Sequence, residues 1–190
     1  MYEVLSQQGE LYFIEVKQDN SWLPIGDVTF SENDLPIVIG VETYRSIGIG
    51  REVIEALIER ARSLSYRQLR VQDIYDFNLP SKKLFTLFGF YPYEETELGH
   101  RYVLDLLLPL TDIQPSQLFL SEKKLEEIET WFDQEELKPL PVKRWKGEWF
   151  LTDGHSRAFT AYLRGRSEIP ICFDRDDINL KFYSNCIRLC

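Results

Sequence analysis

Cysteine is scarce in this chain: Cys172, Cys186 and Cys190 are the only three in 190 residues, and all fall late. An odd number so placed is no disulfide framework. With no Cys-x-x-Cys and no paired histidines there is no zinc ligand set, and no metal is expected. No apolar run approaches the roughly 20 residues that cross a bilayer. No leader is read ahead of Tyr2, so the expectation is a cytoplasmic chain without a membrane partner. Positive charge is also short. Residues 1–109 carry 10 basic and 17 acidic side chains, net −7, and residues 110–190 carry 12 and 14, net −2. A chain with this balance is poorly matched to phosphate backbones, which disfavours nucleic acid. Neither Gly-x-Gly-x-x-Gly nor the Gly-Lys-Ser/Thr of a P-loop occurs, so the usual dinucleotide and P-loop readings fall away. What is present is 44% hydrophobic and 14% aromatic residues, enough for packed cores and too much for wholesale disorder. The length suits one domain or two small ones, and the totals leave monomer and oligomer both open.

One glycine turn is suited to an anion. The apolar run Ile37 to Val41 leads into Thr43-Tyr44-Arg45-Ser46-Ile47-Gly48-Ile49-Gly50, and Arg51-Glu52-Val53-Ile54-Glu55-Ala56-Leu57-Ile58 follows with helical spacing. A strand therefore stops here and a helix starts. Glycines let the backbone approach a ligand closely, and a helix start offers unbonded N–H groups and a positive dipole end. A diphosphate fits that description. The other reading is a tight strand-to-helix turn that uses glycine for packing.

Arg45-x-x-Gly48-x-Gly50 resembles the acyl-CoA pyrophosphate loop of the GNAT acetyltransferase superfamily. A second block, Asn78-Leu-Pro-Ser81-Lys-Lys-Leu84-Phe85-Thr-Leu-Phe-Gly89-Phe90, is similar to that family's Asn-x-x-Ala-x-x-Leu-Tyr-x-x-x-Gly-Phe. The resemblance covers about the first 108 residues. It implies acetyl-CoA or another acyl-CoA as cofactor, held by Ile39, Val41, Arg45, Ser46, Gly48, Ile49, Gly50, Arg51, Asn78 and Phe85. It also implies N-acyl transfer to a small-molecule or peptide acceptor. Two departures stand out. GNAT domains usually open with a strand and two helices that wall the acceptor site, whereas barely ten residues precede the first clear strand here. Many GNAT enzymes use a Tyr seven positions after the Asn as general acid, and that position is Phe85. Tyr91, Tyr93 or a water are the alternatives. Glu42 and Asp73 are the candidate catalytic bases, with solvated carboxylates as the competing reading, and His100 is the remaining group that titrates near neutrality.

In chain order, strands are expected at Glu10–Val16, Ile25–Phe30 and Ile37–Val41, an antiparallel meander feeding the Arg45 loop. The first helix shows Val53, Ile54, Leu57, Ile58, Ala61 and Leu64 on one face. A strand over Leu69–Ile74, a helix from about Ser81 to Phe88 ended by Gly89, and strands at Phe90–Tyr91 and Tyr102–Leu107 complete this half. A short polar link flanked by prolines, Leu108 to Pro115, is the expected boundary. Beyond it lie a helix capped by Ser121, a strand over Leu140–Trp145, and its hairpin partner Trp149–Leu151. Lys143-Arg144-Trp145-Lys146 combines cations with an aromatic, as a nucleic-acid grip does. A solvated edge strand guarded by its lysines is the preferred reading.

The hairpin runs into Thr152-Asp153-Gly154-His155-Ser156-Arg157, again a strand passing through glycine into a helix start. N–H groups and an Arg fork there suit a phosphate. In the other reading Asp153 caps the helix while His155 and Arg157 satisfy polar neighbours. Residues from about Ile113 to Phe173 resemble the ParB/sulfiredoxin fold through Pro115-Ser-Gln-Leu, the Leu140-Pro-Val strand, the Asp153-Gly-His-x-Arg157 turn and Ile169-Pro-Ile171. That resemblance implies a nucleotide (ATP, ADP or CTP) whose phosphates contact Asp153, Gly154, His155, Ser156 and Arg157. His155 stands where sulfiredoxins place their reactive Cys, so their thiol chemistry is excluded. The run of arginines and the DNA-binding domain of partition proteins are missing, so partitioning is not supported. The expectation is therefore an α/β (α+β) chain: a mixed-sheet GNAT-like domain over 1–109, then a small ParB/sulfiredoxin-like α+β domain over 112–190. An acyl-CoA-dependent N-acyltransferase is the leading function. A nucleotide-dependent phosphotransferase or hydrolase on the second turn, and a non-catalytic acyl-CoA or nucleotide sensor, are the alternatives.

Overall fold

The computed structural model describes residues 7–117 and 119–176, so Leu118, Cys186 and Cys190 lie outside the described residues. The chain has a mixed α/β fold and divides into two compact units, Met1–Asp105 and Leu106–Cys190.

In the first unit β1 (Glu10–Gln18), β2 (Ser21–Phe30) and β3 (Ile37–Ile39) form an antiparallel sheet in that order. The expected third strand stops two residues short of Val41. The N–H groups of Gly40 and Val41 both bond to Ile25 O, at 2.8 and 3.2 Å, which closes the ladder. A 3-10 turn over Glu42–Tyr44 follows, then α1 (Ile49–Ser63), β4 (Gln68–Tyr75), α2 (Leu79–Leu87), β5 (Tyr91–Glu95) and β6 (Gly99–Asp105). The last three strands make a second antiparallel sheet with β6 in the middle. Helix α1 buries Ile54, Leu57 and Ala61, the face that its spacing marks out. These pack in a core with Ile25, Phe30, Leu69, Phe85 and Phe90. Helix α2 starts earlier than expected because Asn78 caps it, its Oδ1 accepting the Ser81 N–H at 3.3 Å, while Pro80 suits the first turn. Two bonds tie β4 to the turn that opens into β3: Arg70 N–H to Glu32 O and Gln72 N–H to Asp34 Oδ1, both 3.0 Å. Among the described residues no ladder joins β3 to β4.

The second unit holds β7 (Leu107–Pro109), β8 (Ile113–Pro115), α3 (Glu122–Glu129), β9 (Leu140–Trp145), β10 (Glu148–Leu151), α4 (His155–Leu163) and β11 (Glu168–Phe173). The sheet order is β7-β11-β9-β10-β8, with β11/β9 and β10/β8 parallel and the other pairs antiparallel. Two expectations are corrected here. The stretch from Leu108 to Pro115 is no free link but two short strands around a 3-10 turn; both are edge strands, where a proline's missing N–H breaks no ladder. The Leu140–Trp145 strand is central, not an edge, because β11 pairs beside it in parallel. Its cations stay with their own neighbours: Arg144 lies over Trp149 and Lys146 over Trp145, at 5.7 and 4.5 Å from the ring centres, and Lys143 Nζ donates to Asp176 O.

Candidate functional site

The first loop is built by three local devices. Arg45 folds back onto the end of β3, Nε donating to Ile39 O at 2.8 Å and Nη2 to Gly40 O at 3.1 Å. Ser46 and Gly48 take left-handed backbone, φ 63° and 106°, which turns the chain into α1. Gly48 is the residue before the helix and no side chain caps it. The first helical bonds run from Arg51 and Glu52 N–H to Gly48 O, so the N–H groups of Ser46 through Gly50 meet no acceptor among the described residues. Gly50 does a separate job: a Cβ there would sit 3.0 Å from Leu84 Cδ2, so its smallness lets α2 pack against the loop.

Of the residues that the sequence nominates, Ile39, Val41, Arg45, Ser46, Gly48, Ile49, Gly50 and Arg51 fall in one stretch of chain, from the end of β3 into the first turn of α1, and all are exposed or half-buried. Asn78 stands at the start of α2, engaged as its cap. Phe85 is 5% exposed and packs edge-on against Phe90, ring centres 5.1 Å apart, so it belongs to the core. Glu42 is exposed on the 3-10 turn, and Asp73 is exposed on β4 and accepts Thr96 Oγ1 at 2.9 Å. Tyr91 is committed elsewhere: its hydroxyl donates to buried Asp105 at 2.7 Å, and Gln68 Nε2 bonds to the same carboxylate at 3.1 Å. Tyr93 is exposed. His100 Nδ1 lies 3.3 Å from Asp76 Oδ1, and the bond from Lys82 holds the Asp76 carboxyl below the usual carboxylate range.

The second turn is tighter. Gly154 has φ 78°, and a Cβ there would come within 2.8 Å of both Arg157 Nη2 and Leu140 Cδ2. The Arg157 guanidinium thus folds over the turn, 3.8 Å from Asp153 Oδ2. Ala158 N–H makes the first helical bond, to Gly154 O. Ser156 is buried. His155 is 7% exposed; its Nε2 accepts the Ser116 N–H at 3.0 Å and lies 3.1 Å from Ser116 Oγ. Burial pushes the His155 pKa below the ordinary value, against smaller opposing effects of Asp153 and a hydrogen bond to the Leu151 backbone. Thr152 Oγ1 bonds to Pro141 O and to Asp174 Oδ2, at 3.1 and 2.5 Å, which ties the turn to the chain after β11. The sequence assigns no site role to Ser116, Thr152 or Asp174, because the bonds that tie them together span 39, 11 and 22 residues: Ser116 to His155, Thr152 to Pro141 and Thr152 to Asp174. A cavity of about 150 Å³ beside it is lined by Trp131, Glu135, Glu136, Lys138 and Arg157. Among the described residues no group of His, Cys, Asp and Glu could hold a metal, and no helix is long and apolar enough to cross a membrane.

No curated protein matches the sequence significantly. Among solved structures it is similar to a domain from Methanocaldococcus jannaschii, at 21% identity and TM-score 0.48, covering 55% of this chain and 73% of that one. It is similar to the Campylobacter jejuni N-acetyltransferase PseH at 19% identity and TM-score 0.40, covering 54% and 73%. It is also similar to a GNAT family acetyltransferase from Elizabethkingia anophelis with acetyl-CoA bound, at 18% identity and TM-score 0.41, covering 55% and 81%. The family model for the acetyltransferase (GNAT) family matches residues 2–90. That match spans 89 of the 190 residues, just under half, so the N-terminal part of this chain is similar to the GNAT acetyltransferases.

Proposed function

We propose that the N-terminal unit binds an acyl-CoA, acetyl-CoA first, and passes the acyl group to an amine on a small-molecule or peptide acceptor. The observation that carries this is the loop from Ser46 to Gly50, whose N–H groups meet no acceptor among the described residues at the positive end of a 15-residue helix. It lies inside the stretch that the family model matches. Acyl transfer asks the protein to place the thioester, take a proton from the amine and protonate the thiolate. Glu42 and Asp73 are the carboxylates proposed for the base, acting through water because both are exposed. Phe85 has no proton to give and Tyr91 is held by Asp105, so exposed Tyr93 or a water protonates the thiolate in this reading. Titration calorimetry with acetyl-CoA tests it. Wild type should bind, and Gly50→Asp should abolish binding, since it adds bulk 3.0 Å from Leu84 Cδ2 and a negative charge to the loop proposed for the diphosphate. A folded Gly50→Asp that binds as wild type does, or a wild type that ignores CoA, overturns the assignment.

We propose a second reading for the other unit: a ParB/sulfiredoxin-like domain over 112–190 that holds a nucleotide's phosphates on the Asp153–Arg157 turn. What supports it is the Arg157 guanidinium folded over Gly154, whose φ of 78° disfavours any side chain. The cavity of about 150 Å³ is smaller than the roughly 300 Å³ at which ligand pockets begin, so only part of a nucleotide would be enclosed. Arg157→Ala should weaken ATP, ADP or CTP binding by about 1.5–3 kcal/mol, the range for a hydrogen bond to a charged group. Unchanged affinity would remove Arg157 from the site.

A further inference from the structure

We propose that Ser116 is a nucleophile that takes a phosphoryl group from a phosphoanhydride, with His155 receiving its proton; the proposal rests on the phosphate reading of the Asp153–Arg157 turn. Ser116 follows β8, which runs parallel to β10 with Pro115 opposite Leu151. Serine and turn therefore emerge at the same C-terminal end of two parallel strands, the side on which α/β sheets receive ligands. Ser116 Oγ is 3.1 Å from His155 Nε2, within the reach that a base needs to take a hydroxyl proton. The tautomer is set by the surroundings. Nε2 accepts the Ser116 N–H, so that atom carries the lone pair. Burial at 7% exposure favours the neutral ring, which is the form that can act as a base.

A purely structural pin between β8 and α4 needs only the Ser116 N–H. The hydroxyl adds a second donor to the same lone pair, and one lone pair cannot hold both in line. When the hydroxyl proton moves to Nε2, the Ser116 N–H loses its acceptor beside the oxygen that has just formed a bond. It then becomes a donor to the incoming phosphoryl oxygens, with Arg157 folded over the same turn. The step balances: the Oγ–P bond forms and the bridging P–O bond breaks. The shortened phosphate, a nucleoside diphosphate when the donor is a triphosphate, leaves with the bonding electrons. The serine proton ends on Nε2.

The test uses the full chain with ATP or CTP and magnesium, read by intact mass and peptide mapping, and beside it a fluorophosphonate probe that needs no nucleotide. That probe reports the same nucleophile, since its Oγ–P bond forms as P–F breaks. The expected result is one phosphoryl group on Ser116 in wild type and none in Ser116→Ala. His155→Gln keeps an acceptor for the N–H but no base, and should modify about 10²-fold or more slowly. Should His155→Gln fail to fold, the wild-type rate against pH gives the same information, falling as the ring protonates on acidification. Wild type that binds nucleotide yet leaves Ser116 unmodified by either reagent overturns the inference and spares the phosphate reading. Wild type that binds no nucleotide overturns both. His155→Gln reacting at the wild-type rate removes the base.

Discussion

Gly48 and Gly50 stand two residues apart and are required for different reasons. A Cβ on Gly48 would meet nothing within 4 Å, so only its φ of 106° demands glycine. Gly48→Ala should cost about 1–3 kcal/mol of backbone strain, and denaturant unfolding would read it. Gly50 has ordinary helical backbone, and its Cβ would meet only the flexible end of Leu84. Gly50→Ala should therefore be milder than Gly48→Ala. The reverse order would mean that Leu84 cannot yield. Phe85 offers a related contrast. GNAT relatives by resemblance carry a tyrosine at this position, and here the ring is 5% exposed against Phe90. Phe85→Tyr places a hydroxyl in that packing and should lower stability by about 1–3 kcal/mol if it finds no partner. Unchanged stability in the same unfolding measurement would show that the ring edge already faces room and a polar neighbour.

Elements whose signals are local were legible in the sequence. Helix α1 follows from Ile54, Leu57 and Ala61 at helical spacing, and the strand-to-glycine-to-helix order of both turns can be read directly. The sequence nominates Asn78 for a ligand, and in the structure its side chain caps α2. Asn78→Ala should cost about 1 kcal/mol through loss of the Ser81 N–H bond, measurable as a lower unfolding midpoint. What the sequence did not disclose depends on partners far along the chain. β3 ends early because Ile25 O, 15 residues back, takes two N–H groups. Leu107–Pro109 is a strand because β11 arrives some 60 residues later to pair with it, and that same strand turns β9 from edge to centre. Prolines mark chain breaks only when no distant strand needs the residue beside them. The Ser116–His155 pair is invisible for the same reason: nothing within 39 residues of spacing distinguishes one serine from another.

At the scale of the whole molecule, acid should act on stability in two separate windows with different origins. His155 has a native pKa below its ordinary 6.5 because burial disfavours the charged ring. The unfolded chain then binds a proton that the folded chain refuses, so this contribution is intact above pH 6.5 and declines as pH falls from there through the native value. Protonation would also take the acceptor from the Ser116 N–H, which adds to the loss in the same direction. Glu10 works lower. Its carboxylate takes two bonds from Arg60, at 2.7 and 3.0 Å, and is held at about 2 against 4.5. Its contribution is present above pH 4.5 and is lost as pH falls toward 2, and solvent screening of a side chain 39% exposed keeps it small. Denaturant unfolding at a series of pH values separates the two. His155→Gln should flatten the slope just below pH 6.5 and leave the acidic limb alone, whereas Glu10→Gln should flatten only the limb below 4.5. If His155→Gln leaves the upper slope unchanged, the ring titrates normally in the native state, and a buried neutral imidazole facing Ser116 is excluded.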